Sequence, residues 1–376
     1  MLRTTSSVLL AAVLFGYTGI AAAEKLNPVG IAVKNEEASI AVDINARGQV
    51  AGIIQNVEEG TQRAILYDRQ QVIELGTLGG GESYTKGINA NGEVVGTAQN
   101  SRRQWRAFIY SKERGMRDLG TLGGNSSYGA AINTAGQVVG FADTSDNYFH
   151  AYVADSDGVL TDLGTLGGNI SYASGINNHG EIVGTAALSD GNRRAFLYRP
   201  GSGMINLGTL PGGRASSASA INDDGVVVGA ASTASGRWHA FMYDGENMVD
   251  LGDMIGYGDS FATAVNGAGH VVGTILIGDE RRSFVYRDGK MTVHPGGHGL
   301  YLVNSINNQE LVVGAQFQGK KFEASTMRSN ATATVVRSPQ EFMTLIAIVL
   351  LAAAAMIIYH RRYRGIQLRG PAMLSF

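Results

Sequence analysis

Short runs of alternating apolar and polar residues make up most of this chain, and glycine, asparagine or serine closes each run. In one stretch, Tyr84 to Ile88, Glu93 to Ala98, Arg106 to Tyr110 and Met116 to Leu119 each read as a β-strand, because they are β-branched or aromatic and bounded by turn residues. The word GINANGEVVG lies across the first two strands, and its Asn-x-x-Gly predicts a bulged hairpin. Asparagine opens a type I turn by bonding its own backbone, and glycine takes the left-handed position that closes it.

The same words return along the chain. The asparagine recurs as Asn45, Asn89, Asn133, Asn177, Asn222, Asn266 and Asn307, at steps of 44, 44, 44, 45, 44 and 41 residues. Between copies stands LGTLGG at Leu75, Leu119 and Leu163, LGTLPGG at Leu207 and LGDM at Leu251. Gln309-Glu310 lacks the turn glycine, so the seventh turn is expected to differ. Seven four-stranded units of about 44 residues predict an all-β chain folded as a seven-bladed β-propeller. A parallel β-helix conflicts with hairpin turns, and an open array would prefer atypical capping repeats. Closure is expected from Val29 to Val33, completing a last sheet whose later strands are Lys321 to Ala324 and Thr332 to Val336.

Composition fits many short strands joined by tight turns, with 52 glycines, 6 prolines and 16% charged residues. The absence of cysteine excludes disulfides, thiolate metal sites, a cysteine nucleophile and a lipidated N-terminal cysteine. Two terminal segments stand outside the repeats. Arg3, the apolar run Val8 to Ala22 and Ala21-Ala22-Ala23 read as a signal peptide over residues 1–23. Phe342 to Tyr359 is 18 uncharged, mostly apolar residues, roughly 27 Å as a helix and enough for a bilayer core. Arg361, Arg362 and Arg364 follow it and mark a cytoplasmic side. The expected organisation is signal peptide 1–23, propeller 24–338, a C-terminal transmembrane helix within 339–360 and a basic cytoplasmic tail 361–376. Setting aside Arg3 and the four tail arginines leaves 25 bases against 32 acids, a net −7, and nothing there points to nucleic acid.

With these words in place, the chain resembles the HAF-repeat family of extracellular bacterial proteins. The family's His-Ala-Phe triplet stands at His239-Ala240-Phe241. Variants are Arg106-Ala107-Phe108, His150-Ala151-Tyr152, Arg194-Ala195-Phe196 and Arg282-Ser283-Phe284. The likeness covers roughly residues 40 to 325 and implies export and repetition, with no assigned catalytic residues. The tail is also similar in layout to an exosortase sorting tail, although Ser338-Pro339-Gln340-Glu341 stands where Pro-Glu-Pro is expected.

Candidate chemistry is sparse. LGTLGG has neither the lysine nor the following helix of a phosphate loop and reads as a corner between blades. The cations Arg63, Arg106, His150, Arg194, His239 and Arg282 either serve their blades, by bonding a neighbour's carbonyl or stacking on an aromatic, or form a ring that grips a polyanion. Repetition in nearly every unit favours the first. Ligand candidates are therefore the residues where the pattern fails: Asp253, Tyr257 and Asp259 in LGDMIGYGDS, and His294 and His298 in VHPGGHG. Asp223-Asp224 and the Asp143 to Asn147 loop lack the spacing of a calcium loop. The expectation is a non-catalytic binding or scaffold module at the cell envelope, without a cofactor, for a glycan, matrix polymer or protein ligand. The alternatives are a propeller hydrolase or lyase acting on polysaccharide, and a purely structural surface or biofilm component.

Overall fold

A computed structural model describes residues 29–30, 38–56, 58–294, 300–318 and 321–329. Within them the chain forms seven four-stranded antiparallel sheets, the blades of a seven-bladed propeller. In blade 2 the inner strand is Gly79–Ile88, followed outward by Val94–Asn100, Trp105–Ser111 and Gly115–Asp118. The inner strand begins at Gly79 rather than Tyr84. Thr77 Oγ1 accepts the Gly79 amide, and Gly79 pairs with Asn100, so glycines read as turn residues run extended.

The remaining inner strands are Ala38–Ile44, Gly123–Ile132, Gly167–Ile176, Ser216–Ile221, Asp259–Val265 and Leu302–Ile306. The seventh sheet takes its outer strand from the other end of the chain. Val29–Gly30 pairs antiparallel with Ser325 and Thr326 of the strand Lys321–Arg328. Thr332 to Val336, expected in the same sheet, lies outside the described residues. So do the predicted signal segment 1–23 and the anchor Phe342 to Tyr359. Among the described residues no helix is long and apolar enough to cross a membrane.

The core lies between blades rather than within them. Seven buried apolar clusters fill the seven junctions. Phe108 of the Arg-Ala-Phe triplet packs with Leu66 and Leu75 of blade 1, while Ala51 and Ala64 leave room for the ring. Phe108, Tyr152, Phe196, Phe241 and Phe284 are all fully buried, each contributing about 2–3 kcal/mol of hydrophobic free energy. Among the described residues the closing junction between blades 7 and 1 holds Ala41, Ile44, Val50, Val313 and Ala324.

The predicted turns form as read. Asn89 Oδ1 accepts the Asn91 and Glu93 amides, each at 3.0 Å, and Gly92 takes φ +85°. The seventh turn does not differ as expected. Glu310 adopts φ +64° in the glycine position and donates its amide to the Asn307 carbonyl, as the turn glycines do. Its carboxylate explains why a non-glycine residue is held there. Glu310 accepts from His270 at 2.7 Å, from Asn266 at 3.2 Å and from Ser329 Oγ.

Candidate functional site

Every inner strand carries a bulge at the residue three before its turn asparagine. In blade 2, Thr85 pairs with Gly96 and Gly87 with Val95, leaving Lys86 unpaired between them. The equivalent residues are Val42, Ala130, Ser174, Ser219, Thr263 and Asn304. A bulge bends the strand and re-aims its side chain. All seven bulge residues line one central channel, a cavity of roughly 1080 Å3.

Two further tiers flank the bulge residues, because alternate positions of an inner strand face the same way. On the side of the Asn-x-x-Gly turns stands a collar of Ile44, Ile88, Ile132, Ile176, Ile221, Val265 and Ile306. On the other side lie Tyr84, Tyr128 and Tyr172 from three successive blades, with Phe141. Tyr128 stacks on Phe141 at 4.8 Å between ring centres, and Phe141 meets Tyr172 edge-on at 4.9 Å. Arg193 lies 6.0 Å over the Tyr172 ring. Burial raises the Tyr84 and Tyr128 hydroxyls above their ordinary pKa, Tyr128 with help from the Asp143 carboxylate, so both remain protonated donors.

Two charged side chains line the cavity among the described residues, Asp43 and Lys86. Asp43 is fully engaged. Its oxygens accept from Ser305 Oγ at 2.6 Å, from the Ile44 amide at 2.8 Å and from the Ile88 amide at 2.9 Å, tying blades 7, 1 and 2 together. Burial raises its pKa against those donors. Lys86 has no hydrogen bond or ion pair among the described residues. Its side chain reaches channel water, yet protein surrounds it closely enough that burial lowers its pKa.

The four sequence-derived candidates among the described residues lie away from this channel. Asp253 and Tyr257 sit at the crossing from blade 5 to blade 6, where Gly252–Ile255 forms a single helical turn. Asp253 donates its amide to Asp250, and Tyr257 packs against the interblade core. Asp259 Oδ1 accepts the Trp238 amide at 3.0 Å, an ordinary interblade bond. His294 is buried between blades 6 and 7, and His298 lies outside the described residues. No group of three His, Asp or Glu side chains among the described residues is arranged to hold a metal.

The repeated cations have partners that the sequence reading missed. Arg63 pairs with Glu74 at 3.3 Å, Arg106 with Asp118 at 3.9 Å, His150 with Asp162 at 2.8 Å and His239 with Asp250 at 2.9 Å. Each acid ends the outer strand of the same blade and precedes the Leu-Gly word, which was the available signal. Blade 4 has Asn206 at that place, and Arg194 turns to the Arg214 carbonyl. Arg282 pairs instead with Glu280 at 2.7 Å. The loop glycines are also occupied. Gly120 donates to Asp118 Oδ1 at 2.8 Å and Gly123 to Thr121 Oγ1 at 3.3 Å, as befits a corner.

One junction departs from the rest. A serine at the start of each inner strand accepts the amide of the triplet's middle residue in the preceding blade, as Ser127 does for Ala107 at 2.9 Å. Ser39, Ser83, Ser171, Ser216 and Ser260 repeat this contact. In blade 7 the position is Tyr301. Facing it in blade 6, Ser283 replaces the alanine, and its strand partner His294 replaces the buried leucine. Ser283 Oγ and both His294 ring nitrogens are buried without a hydrogen bond among the described residues.

No family model matches the chain, and no curated protein matches it in sequence. Its fold is similar to the β-propeller domain of the trilobed protease from Pyrococcus furiosus, whose topology is described as open Velcro. The TM-score is 0.56 at 11% identity, over 80% of this chain and 99% of that one. It is also similar to puromycin hydrolase, with a TM-score of 0.57 at 12% identity over 80% of this chain and 53% of that one. A third is the BP39L lectin from Burkholderia pseudomallei, with a TM-score of 0.50 at 9% identity over 79% and 97%. This chain spans about half of the puromycin hydrolase chain and nearly all of the other two. At these identities the likeness establishes a shared propeller fold.

Proposed function

We propose that this protein is a non-catalytic binding module that takes a glycan, matrix polymer or protein segment at the aromatic mouth of its channel. The observation that carries the reading is the set of seven bulge residues turned onto one cavity beneath three tyrosines. Bulged strands are a recurrent means of aiming side chains at a ligand. Aromatic walls with a few placed polar groups suit recognition. Asp43, the one carboxylate lining the channel among the described residues, is committed to three donors that join blades. A polyhydroxylated ligand is the better fit, since its apolar ring faces suit Tyr128 and Tyr172 and its hydroxyls suit Ser174, Ser219 and Thr263.

Export and a C-terminal tether complete the reading. They rest on the signal-like segment 1–23 and on Phe342 to Tyr359 followed by arginines, and the HAF-repeat resemblance supports export. Calorimetry of the full-length chain against oligosaccharides of envelope and matrix type tests the binding. Saturable uptake that Tyr128→Ala and Tyr172→Ala weaken at unchanged stability is the expected result. Release of new reducing ends that Asp253→Asn or His294→Ala abolishes would replace it with the hydrolase reading. Membrane fractionation with protease shaving tests the tether.

A further inference from the structure

Six of the seven bulge residues are neutral, and the exception is Lys86. A free ammonium among hydroxyls, methyl groups and rings is costly unless water or an anion attends it. The Lys86 side chain is open to the channel, yet the blades on either side crowd it enough to lower its pKa. Asp43, the other charged group in the cavity, makes no ion pair with it. Among the described residues Lys86 is therefore the one cation that the channel lining offers to a negative charge.

We infer that the channel reads a saccharide residue bearing one carboxylate, a uronic-acid unit, with its carboxylate at Lys86 and its ring toward the tyrosine tier. The inference rests on the proposed binding role of the channel and adds the charge of the ligand. A polyanion is the poorer fit, because the cavity offers one cation and the repeat region is net acidic. A peptide carboxylate would satisfy Lys86 but would leave the Ser219 hydroxyl and the tyrosine rings without matched partners. In a confined, partly desolvated site one charge-assisted bond counts for more than on the surface.

The test uses the full-length protein, with the Lys86 signals and the tyrosine ring signals followed by NMR. Sodium glucuronate and glucose, which differ at C6, are the probes. Glucuronate should bind about tenfold more tightly than glucose and shift both Lys86 and Tyr128. Lys86→Gln should remove that preference, and Lys86→Arg should retain most of it, both at wild-type unfolding temperature. Equal binding of the two sugars would overturn the charge assignment and leave the binding role of the channel standing. A preference that survives Lys86→Gln would overturn it as well. If N-acetylglycine moves Lys86 as strongly as glucuronate does, the site reads a bare carboxylate and the saccharide assignment falls. Absence of any response in the channel would overturn the inference together with the binding role.

Discussion

Asn307 donates its side-chain amide to the main-chain carbonyl of Asn45, 3.1 Å away and 262 residues back along the chain. The same bond joins Asn45 to Asn89, Asn89 to Asn133, Asn133 to Asn177, Asn177 to Asn222, Asn222 to Asn266 and Asn266 to Asn307. The seven asparagines form a closed circle. Each also accepts two amides of its own turn, so one residue type both shapes the hairpin and fastens blade to blade.

Asn133 tests this double duty. It is buried, and alanine there removes the bond to the Asn177 carbonyl and strands the Ala135 and Gln137 amides. Asn133→Ala should cost about 2–3 kcal/mol in urea unfolding, more than a turn bond alone. Asn133→Asp keeps the acceptor and loses the donor, and should fall between alanine and wild type. A loss near zero in both variants would remove the ring as a source of stability.

The two glycines of the repeated word should respond differently. Gly136 takes φ +76°, and a Cβ there would meet its neighbours only at ordinary van der Waals distance, so Gly136→Ala costs about 1 kcal/mol, the strain of a left-handed residue. Gly140 has ordinary backbone angles, but a Cβ there would run into the Tyr128 carbonyl opposite the bulge. Gly140→Ala should therefore cost about 3 kcal/mol or more. Thermal unfolding of the two variants gives the order, and the reverse order would contradict the close strand contact at the bulge.

The beat of seven, the strand count and the turn chemistry were legible because each occurs in every copy. The partner of each asparagine amide was not. Donor and acceptor share one period, and a circle leaves no trace in a linear pattern. Alternation placed Tyr84, Lys86 and Ile88 on a single face, yet nothing in the repeat says that this face meets the axis rather than a neighbouring blade. Lys86 also looked ordinary among variable residues. The search for broken symmetry was drawn to loops such as LGDMIGYGDS, where the change is large in sequence and peripheral in space. His294 was singled out as a ligand candidate because the repeat word is lost there, and what sets it apart in the structure is burial at a junction.

Glu310 provides a test with a pH signature. Burial opposes ionisation there, but hydrogen bonds from Ser329, His270 and Asn266 hold its carboxyl below the ordinary value. A depressed folded pKa means that the stabilisation is fully present above about 4.5 and is lost as pH falls through the folded value. Glu310→Gln should cost about 1 kcal/mol near neutrality, and the difference from wild type should shrink toward pH 3. A constant difference across that range would show that shape rather than charge holds the seventh turn.

His294 provides the last prediction, and its sign is the opposite of what a buried contact usually implies. Leucine fills the equivalent place as Leu75, Leu119, Leu163, Leu207 and Leu251, inside interblade cores. The imidazole brings two ring nitrogens into such a core without partners among the described residues, and Ser283 adds an unpartnered hydroxyl across the strand. Burial lowers the pKa of His294 below its ordinary 6.5. The unfolded chain then takes up a proton that the folded chain refuses, so stability falls as pH drops below about 6.5 and levels off once the folded value is passed. His294→Leu should stabilise the propeller by about 1–2 kcal/mol at pH 7 by removing buried unsatisfied groups. It should also flatten the acid slope between pH 6.5 and 5, and Ser283→Ala should add a smaller gain without changing that slope. The reading is checked by urea midpoints measured across that pH range. Destabilisation by His294→Leu would mean that the imidazole is held there by a partner, and the junction between blades 6 and 7 would then be a built site rather than a weak seam.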